Sequence, residues 1–169
     1  MATTLTLAEM EALLAAHEKA EFDLDLDATL ATLVDNPMYE FPSLGWHIEG
    51  RDAVRETYNR MLHGSDERNI WADKRVHAIS DNSLSREAYV YLDGPDGRVT
   101  GQYFVVMEFE GDKIAGERMY MDTTFAALMA QILGPDFGSV PGVSRLADMT
   151  PPPVPRLDRA AAHAANSNH

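Results

Sequence analysis

The sequence predicts an α+β domain in which helices come first and an antiparallel sheet follows. Apolar residues recur at helical spacing in the N-terminal third, whereas β-branched and aromatic runs separated by turn residues dominate from about 68 to 122. A last helical segment covers 123–133. Because helices and strands occupy separate parts of the chain, an α+β arrangement is favoured over a parallel α/β sheet.

The helices of the N-terminal third begin at recognisable caps. Thr6 is followed three residues later by Glu9, which is the pattern of a capping box, and apolar residues then continue at helical spacing to His17. The other elements predicted here are a short helix at about 25–33 ended by Asn36-Pro37, strands at 38–41 and 47–50, and a helix from Asp52 to Gly64.

Four long strands form the predicted meander, at about 68–80, 85–93, 99–110 and 113–122. The third strand is apolar on both faces. One face carries Val99, Tyr103, Val105, Met107 and Phe109, and the other carries Phe104 and Val106. Such a strand is expected to be covered twice, once by the helices and once by another layer. We therefore predict a homodimer that forms through the second face of the sheet.

Composition limits the possible functions. The chain has 169 residues, no cysteine and a formal net charge of −13, so we expect one domain without disulfides, thiolate metal sites or a cysteine nucleophile. The chain has 27 acidic and 14 basic residues, and this acidic excess argues against nucleic-acid or anionic membrane partners. No stretch reaches the ~18 apolar residues of a membrane helix, and the N-terminus lacks a secretory pattern, which predicts a cytoplasmic protein.

The C-terminal part of the chain differs in composition from the rest. Four of the nine prolines fall between 151 and 155, and a run of small residues follows them. We predict a folded domain over 1–135 and, over 136–169, a proline-rich extension that is flexible or packs on a dimer partner.

Three segments carry a family resemblance, namely AHEKAEFDLDLDATLATLVDNPMYEFP, IEGRDAVRETYNRML and GDKIAGERMYMDTTFAALMAQILG, the last with Tyr120, Asp122, Gln131 and Gly134. They resemble the nuclear transport factor 2-like superfamily. The four residues of the third segment lie at motif positions of its SnoaL-like branch, which includes polyketide cyclases and relatives of ketosteroid isomerases. The resemblance covers about residues 5–135. It implies a curved-sheet, cone-shaped fold of cystatin-like type around one apolar pocket, with cofactor-free proton-transfer chemistry in many members.

The last strand offers the first catalytic candidates. Arg118, Tyr120 and Asp122 alternate onto one face, and if that face is concave, Tyr120 is a hydrogen-bond donor beside the base Asp122. The resemblance implies an acid that acts on substrate near this position. Asp122 also directly precedes a helix, where aspartate is a favoured N-cap, and that structural role is by itself sufficient to explain it.

The first long strand offers the second set. Trp71, Asp73, Arg75, His77 and Ile79 alternate onto one face. This row is either an ion network on the solvent or dimer side, or it supplies the pocket with His77 as a base or hydrogen-bond donor and with Arg75 as an oxygen-binding group.

Aromatic residues are the candidates for substrate binding. Trp46 and His47 lie in a segment between two short strands and either cover a ligand or form a rim loop. The remaining candidates fit a pocket wall or simple core, and they are Tyr39, Phe41, Tyr58 and Tyr103.

We expect no cofactor and no metal, because the six histidines lack His-x-x-x-His or His-x-His spacing and no glycine-rich nucleotide loop is present. Together with the resemblance, this predicts a cofactor-independent isomerase, cyclase, dehydratase or lyase that acts in an enclosed pocket on a small, apolar, oxygenated substrate of cyclic or aromatic type. The alternative is a ligand-binding or dimeric scaffold protein of the same fold, without catalysis.

Overall fold

The computed structural model describes residues 3–63, 69–94 and 96–149, without the side chains of 69–70, 74–76 and 94. It has the predicted α+β class. The helices are α1 (Leu7–Phe22), α2 (Leu26–Ala31), α3 (Arg51–His63) and α4 (Thr123–Leu133). The strands are β1 (Leu33–Phe41), β2 (Trp46–Glu49), β3 (Asn69–Ile79), β4 (Ser83–Gly94), β5 (Gly97–Glu110), β6 (Lys113–Met121) and β7 (Val143–Arg145).

All seven strands belong to one curved, open sheet with the order β3-β4-β5-β6-β1-β2-β7. Strands β3 to β6 form the predicted antiparallel meander, and β1 joins β6 in parallel. The concave face packs against the helices and carries the apolar core, including Leu84, Val105 and Ile114. The opposite face is called the convex face below.

The first helix begins as its sequence predicts. The Thr6 backbone N–H donates to Glu9 Oε2 at 2.8 Å, and the Glu9 N–H donates back to Thr6 Oγ1 at 3.3 Å, which completes the capping box. The buried face of α1 then carries Met10, Leu14 and His17, all fully inaccessible to solvent. An imidazole therefore lies inside the apolar layer between α1 and the sheet.

The boundary between the second helix and the first strand differs from the expectation. α2 ends at Ala31, and Asn36-Pro37 lies inside β1 instead of ending a helix. The pairing of β1 with β6 is irregular between Leu33 and Met38, and proline, which lacks an N–H, is tolerated at such irregular positions. The Pro37 carbonyl is used all the same, since it accepts from the Gly50 N–H at 3.0 Å.

Two β-bulges change which side chains face the helices. In β6, Ile114 and Gly116 pair with the adjacent residues Phe109 and Glu108, so Ala115 is an extra residue. In β3, residues 74 and 76 pair with the adjacent residues 88 and 87, so position 75 is extra. Each bulge reverses the alternation of the strand that contains it. A Cβ at Gly116 would lie 2.2 Å from the Met38 carbonyl oxygen, so only glycine allows the close approach of β1 at the first bulge.

Part of the predicted C-terminal extension belongs to the folded body. β7 pairs with β2, and the Glu49 N–H donates to the Gly142 carbonyl at 2.9 Å. Phe137 is buried edge-on against Trp46. Large apolar residues and a free strand edge explain why this segment packs, although it follows the last helix. The proline-rich stretch 150–169 lies outside the described residues.

The convex face is apolar at its centre and is left open by the described part of the chain. Phe104 is 40% exposed and Tyr120 is 46% exposed, and their rings lie 6.4 Å apart. The two-sided apolar character of β5 is thus confirmed, while none of the described residues covers this side. None of the described helices is long and apolar enough to cross a membrane.

Candidate active site

A cavity of about 270 Å³ lies between the concave face and the helices α1, α3 and α4. Its wall is mainly apolar, and the four methionines Met61, Met107, Met119 and Met129 contribute to it. Thioether side chains adapt their shape to a bound molecule. Three further apolar side chains at the cavity are unusually exposed, namely Phe22, Leu24 and Val99. The site is therefore shaped for a small apolar molecule.

Arg86 is the positively charged side chain among the described residues that line this cavity. It stands in an apolar row of β4 and is only 6% exposed. One guanidinium nitrogen forms an ion pair with Glu18 of α1, and the other donates to the Tyr103 hydroxyl at 2.7 Å. Arg86 Nε is buried and has no hydrogen-bond partner in the described part of the chain. The arginine thus holds Tyr103 and Glu18 in place and keeps one donor unused.

Glu117 is the central carboxyl of the site. It projects from β6 into the cavity and is 5% exposed. Burial, reinforced by the nearby Glu21 carboxylate, raises the pKa of Glu117 to about 7, although His17 and Arg86 oppose the shift. Burial and neighbouring charges, rather than hydrogen bonds, determine this pKa. A carboxyl with such a pKa exchanges its proton readily at neutral pH.

A chain of hydrogen bonds lies behind the cavity wall. His17 Nδ1 is 2.6 Å from Thr32 Oγ1, and His17 Nε2 is 2.9 Å from the Tyr58 hydroxyl. The Tyr58 hydroxyl is in turn 2.9 Å from that of Tyr39. His17 Nε2 also lies 3.3 Å from Glu21 Oε1, and the Glu21 side chain lines the cavity.

The titration of these groups follows from burial and from the carboxylates around them. Burial would lower the pKa of His17, but the charge of Glu21, a hydrogen bond to it and the charge of Glu117 outweigh burial and raise it. Burial raises the pKa of Tyr39 and Tyr58 well above the ordinary range. The tyrosines therefore stay neutral, whereas His17 accepts a proton more readily than a free imidazole.

Tyr120 and Asp122, the catalytic pair expected from the sequence, lie outside the cavity. The bulge at Ala115 places Glu117 and Met119 on the concave face and turns Arg118 and Tyr120 to the convex face. The exposed Asp122 caps α4, with its Oδ1 accepting from the Phe125 N–H at 2.7 Å. The expectation that this face is concave is thereby corrected. The cap explains the position of Asp122.

The row expected on β3 is divided by the other bulge. Trp71 and Asp73 face the convex side, and His77 faces the concave side beneath α1, with its Nε2 3.6 Å from Glu11 Oε1. His77 is not among the residues that line the cavity. The side chain of Arg75 lies outside the described set. The single face predicted for this strand is therefore corrected to two.

Only one of the six aromatic and histidine candidates for binding reaches the cavity, namely Tyr103. Tyr39, Phe41 and Tyr58 are core residues with at most 2% exposure. Trp46 packs on Phe137, and Arg145 lies over its ring. His47 is buried on the convex side, where Nδ1 is 3.4 Å from Glu40 Oε1.

The acidic residues of the cavity and Arg86 were not predicted as site residues from the sequence, for different reasons. Glu117 was hidden because the bulge reverses the alternation of β6. Arg86 was visible as a lone charge in the apolar alternation of β4, from Leu84 to Leu92. His17 and Glu21 share one helix face at i and i+4, which continues the apolar stripe of α1. Buried charges within apolar patterns are the signal that could have identified them.

Within the described ranges, no cluster of three histidine, aspartate or glutamate side chains could hold a metal ion. The fold and site together define an α+β protein with a curved sheet, an apolar cavity and buried acid–base groups. No protein-family model and no curated protein sequence matches this chain.

Solved structures of similar proteins identify the fold. SalBIII, an epoxide hydrolase/cyclase-like enzyme with a role in pyran ring formation in polyether salinomycin, is 19% identical with a TM-score of 0.57 over 68% of this chain and 91% of its own. An LEH-like epoxide hydrolase of M. tuberculosis is 21% identical with a TM-score of 0.58 over 73% and 91%. An NTF2-like protein of unknown function from Cytophaga hutchinsonii is 18% identical with a TM-score of 0.54 over 67% and 99%. The chain therefore has the nuclear transport factor 2-like fold that its sequence resemblance implied.

Proposed function

We propose that this protein is a cofactor-independent enzyme that transfers protons to or from a small, largely apolar, oxygenated substrate. The observation that carries the proposal is Glu117, a buried carboxyl with a pKa of about 7 on the wall of an apolar cavity. General acid–base catalysis is most efficient when the pKa of the group lies near the working pH. Glu117 is the proton-transfer residue in this proposal.

Arg86 and Tyr103 are the partners of this acid. The Arg86 Nε–H, which has no partner among the described residues, and the Tyr103 hydroxyl are donors on the same wall, suited to an oxygen that gains negative charge. The cavity wall also carries Glu18 and Glu21. Among the described residues that line the cavity, three carboxyls stand against one arginine, and this balance favours a neutral substrate over an anionic one.

The reaction classes in question are isomerisation, cyclisation, dehydration and lyase-type cleavage. Two proteins of similar structure are an LEH-like epoxide hydrolase and an epoxide hydrolase/cyclase-like enzyme. Opening or closing an oxygen-containing ring needs a proton donor at the leaving oxygen, and Glu117 could supply it. Among the classes above, we therefore favour ring-forming or ring-opening chemistry.

The test uses the full chain and a panel of neutral epoxides, hydroxy-epoxides and cyclic ketones, with products separated by chiral chromatography. Glu117→Gln keeps the shape but loses the proton, so turnover should fall at least ~100-fold. Glu108→Gln is the matched control, because Glu108 pairs with Arg118 on the convex face. A Glu117→Gln variant with full activity would refute the role of Glu117.

The alternative function is ligand binding without catalysis, and the mainly apolar wall of the cavity favours it. In that case the panel should contain compounds that bind and raise the melting temperature but are recovered unchanged. Glu117→Gln should then alter affinity alone.

We also infer that the convex face binds a second copy of this chain. The support is the exposed aromatic pair Phe104 and Tyr120 at the centre of the sheet. Light scattering should report twice the mass of one chain, and Phe104→Glu should give a monomer. Phe22→Glu, which changes a still more exposed phenylalanine at the cavity mouth, is the control that should remain dimeric. A monomeric wild-type protein at micromolar concentration would contradict this inference.

A further inference from the structure

His17 is buried behind the cavity and does not line it, so a bound molecule cannot reach its ring. An imidazole is nevertheless an unusual choice for the inner face of a helix, where an apolar residue would pack without desolvation cost. Both ring nitrogens are engaged by fixed partners, which allows the protons of the whole cluster to be assigned.

The proton at Nδ1 is fixed by Thr32. The Thr32 hydroxyl donates to the Thr29 carbonyl at 2.6 Å, so its oxygen is left to accept. It lies 2.6 Å from His17 Nδ1, and in this arrangement it accepts from the Nδ1–H. With Nδ1 protonated in this way, Nε2 is the nitrogen that gains or loses a proton.

His17 Nε2 faces Tyr58 and Glu21. Whether Nε2 carries a proton decides which hydroxyl donates in the hydrogen bonds that link His17, Tyr58 and Tyr39. When Nε2 carries a proton, it donates toward the Glu21 carboxylate and the Tyr58 oxygen, and the Tyr58 hydroxyl turns to Tyr39. When Nε2 is bare, Tyr58 donates to it and Tyr39 donates to Tyr58. Both tyrosine hydroxyls thus follow the charge of His17.

The charges around the imidazole come from several elements. Arg86 on β4 neutralises Glu18 on α1 by a direct ion pair, which leaves two carboxyls to share the remaining protons with His17. The ionisable groups that face His17 or act on it through the cavity are Glu21 on α1, Tyr58 on α3, Tyr39 on β1, Glu117 on β6 and, at the far side of Glu117, Arg86 and Tyr103.

We propose that His17 is the positioning residue that decides which cavity carboxyl holds the proton, by keeping Glu21 ionised and leaving the proton on Glu117. Two protons then occupy three sites in the resting protein, one on Nε2 and one on Glu117. This assignment deepens the proposed function, because it makes Glu117 the acid and Glu21 the carboxylate. When Glu117 passes its proton to a substrate oxygen, the imidazolium remains to stabilise the new carboxylate.

Two features support this order of protonation. The Nε2 to Oε1 contact of 3.3 Å pairs the imidazolium with Glu21 directly, whereas Glu117 acts on it only through space. Glu21 is also the more solvated carboxyl, since its side chain is 27% exposed and Glu117 is nearly inaccessible. A carboxylate charge is less costly where water still reaches it.

The experiment is a pH titration by NMR of the full chain, with ¹³C-labelled glutamate carboxyls and ¹⁵N-labelled histidine rings, and needs no substrate. In the wild type near pH 6, His17 should carry protons on both nitrogens, Glu21 should be ionised and Glu117 protonated. Glu21→Gln should lower the His17 midpoint by about one pH unit or more. Glu11→Gln, which removes an equal charge from the same helix, should leave the midpoint unchanged.

His17→Gln completes the test, because it removes the charge that faces Glu117. The Glu117 midpoint should rise by about half a unit or more. If this buried variant does not fold, the wild-type assignments and Glu21→Gln decide alone. The proposal would be overturned if Glu117 were ionised while Glu21 was protonated. It would also be overturned if Glu21→Gln left the titration midpoint of His17 unchanged. Because no turnover is measured, these outcomes are separate from those of the Glu117→Gln activity test.

Discussion

The two faces of the sheet carry the same kind of ion pair in opposite surroundings. On the concave face, Arg86 meets Glu18 with both side chains mostly buried. On the convex face, Arg118 Nη2 lies 2.8 Å from Glu108 Oε1, with side chains 28% and 44% exposed. Water stabilises the charges of the second pair, so the charges depend little on each other. In the first pair, each charge depends on its partner.

Burial, rather than residue type, determines the chemistry of the charged side chains on the two faces. Glu117 and Arg118 are neighbours in the chain, yet they face opposite sides of the sheet. Deprived of water, Glu117 has a pKa near neutrality, and Arg118 is a surface partner whose pKa is raised by its hydrogen bond to Glu108. Acid–base function is therefore expected on one face only.

The largest expected difference between the two faces is the loss of stability when each arginine is removed. Arg86→Ala removes the guanidinium that forms a mostly buried ion pair with Glu18 and should cost about 3–5 kcal/mol of the free energy of unfolding. Arg118→Ala removes an exposed pair and should cost no more than about 1 kcal/mol. Urea unfolding of both variants measures the difference. Equal losses would mean that the concave pair is hydrated like the convex one.

A second expected difference is that Glu117 on the concave face makes the free energy of unfolding depend on pH. Its pKa is raised in the folded state to about 7, so the folded protein binds this proton more tightly than the unfolded chain. This contribution to stability is complete below about pH 4.5 and is lost as pH rises through 7. Relative to Glu117→Gln, the wild type should lose about 3 kcal/mol between pH 4.5 and 8.

The measurement is a series of denaturant titrations of the wild type and Glu117→Gln across that pH range. Glu108→Gln is again the control, and its stability should run parallel to that of the wild type. If the free energy of unfolding of Glu117→Gln also ran parallel to that of the wild type across this pH range, burial would not raise the pKa of Glu117.

The smallest expected effect concerns Asp122, at the end of β6 and outside the cavity. Asparagine caps a helix as well as aspartate, so Asp122→Asn should retain both stability and turnover. Asp122→Ala loses the bond to the Phe125 N–H and should cost about 0.5–2 kcal/mol. Thermal unfolding and the substrate panel check both variants. A loss of activity of ~100-fold in Asp122→Asn would favour a catalytic role instead.

Local patterns predicted the elements well because each depends on neighbouring residues. The capping box at Thr6, the N-cap at Asp122 and the two faces of β5 follow from a few adjacent side chains. The face assignments of β3 and β6 failed for one shared reason. Each strand contains a bulge, and a single extra residue reverses every side chain beyond it.

The sequence by itself determined the α+β class, the meander and the resemblance to the nuclear transport factor 2-like fold, because hydrophobic periodicity and turn residues act over short distances. Tertiary structure alone decided that Glu117 and Arg86 share a cavity with Glu18 and Glu21 of α1. Their chemistry depends on charges brought together from distant parts of the chain and on the exclusion of water between them. Neither property exists until the helices close over the sheet.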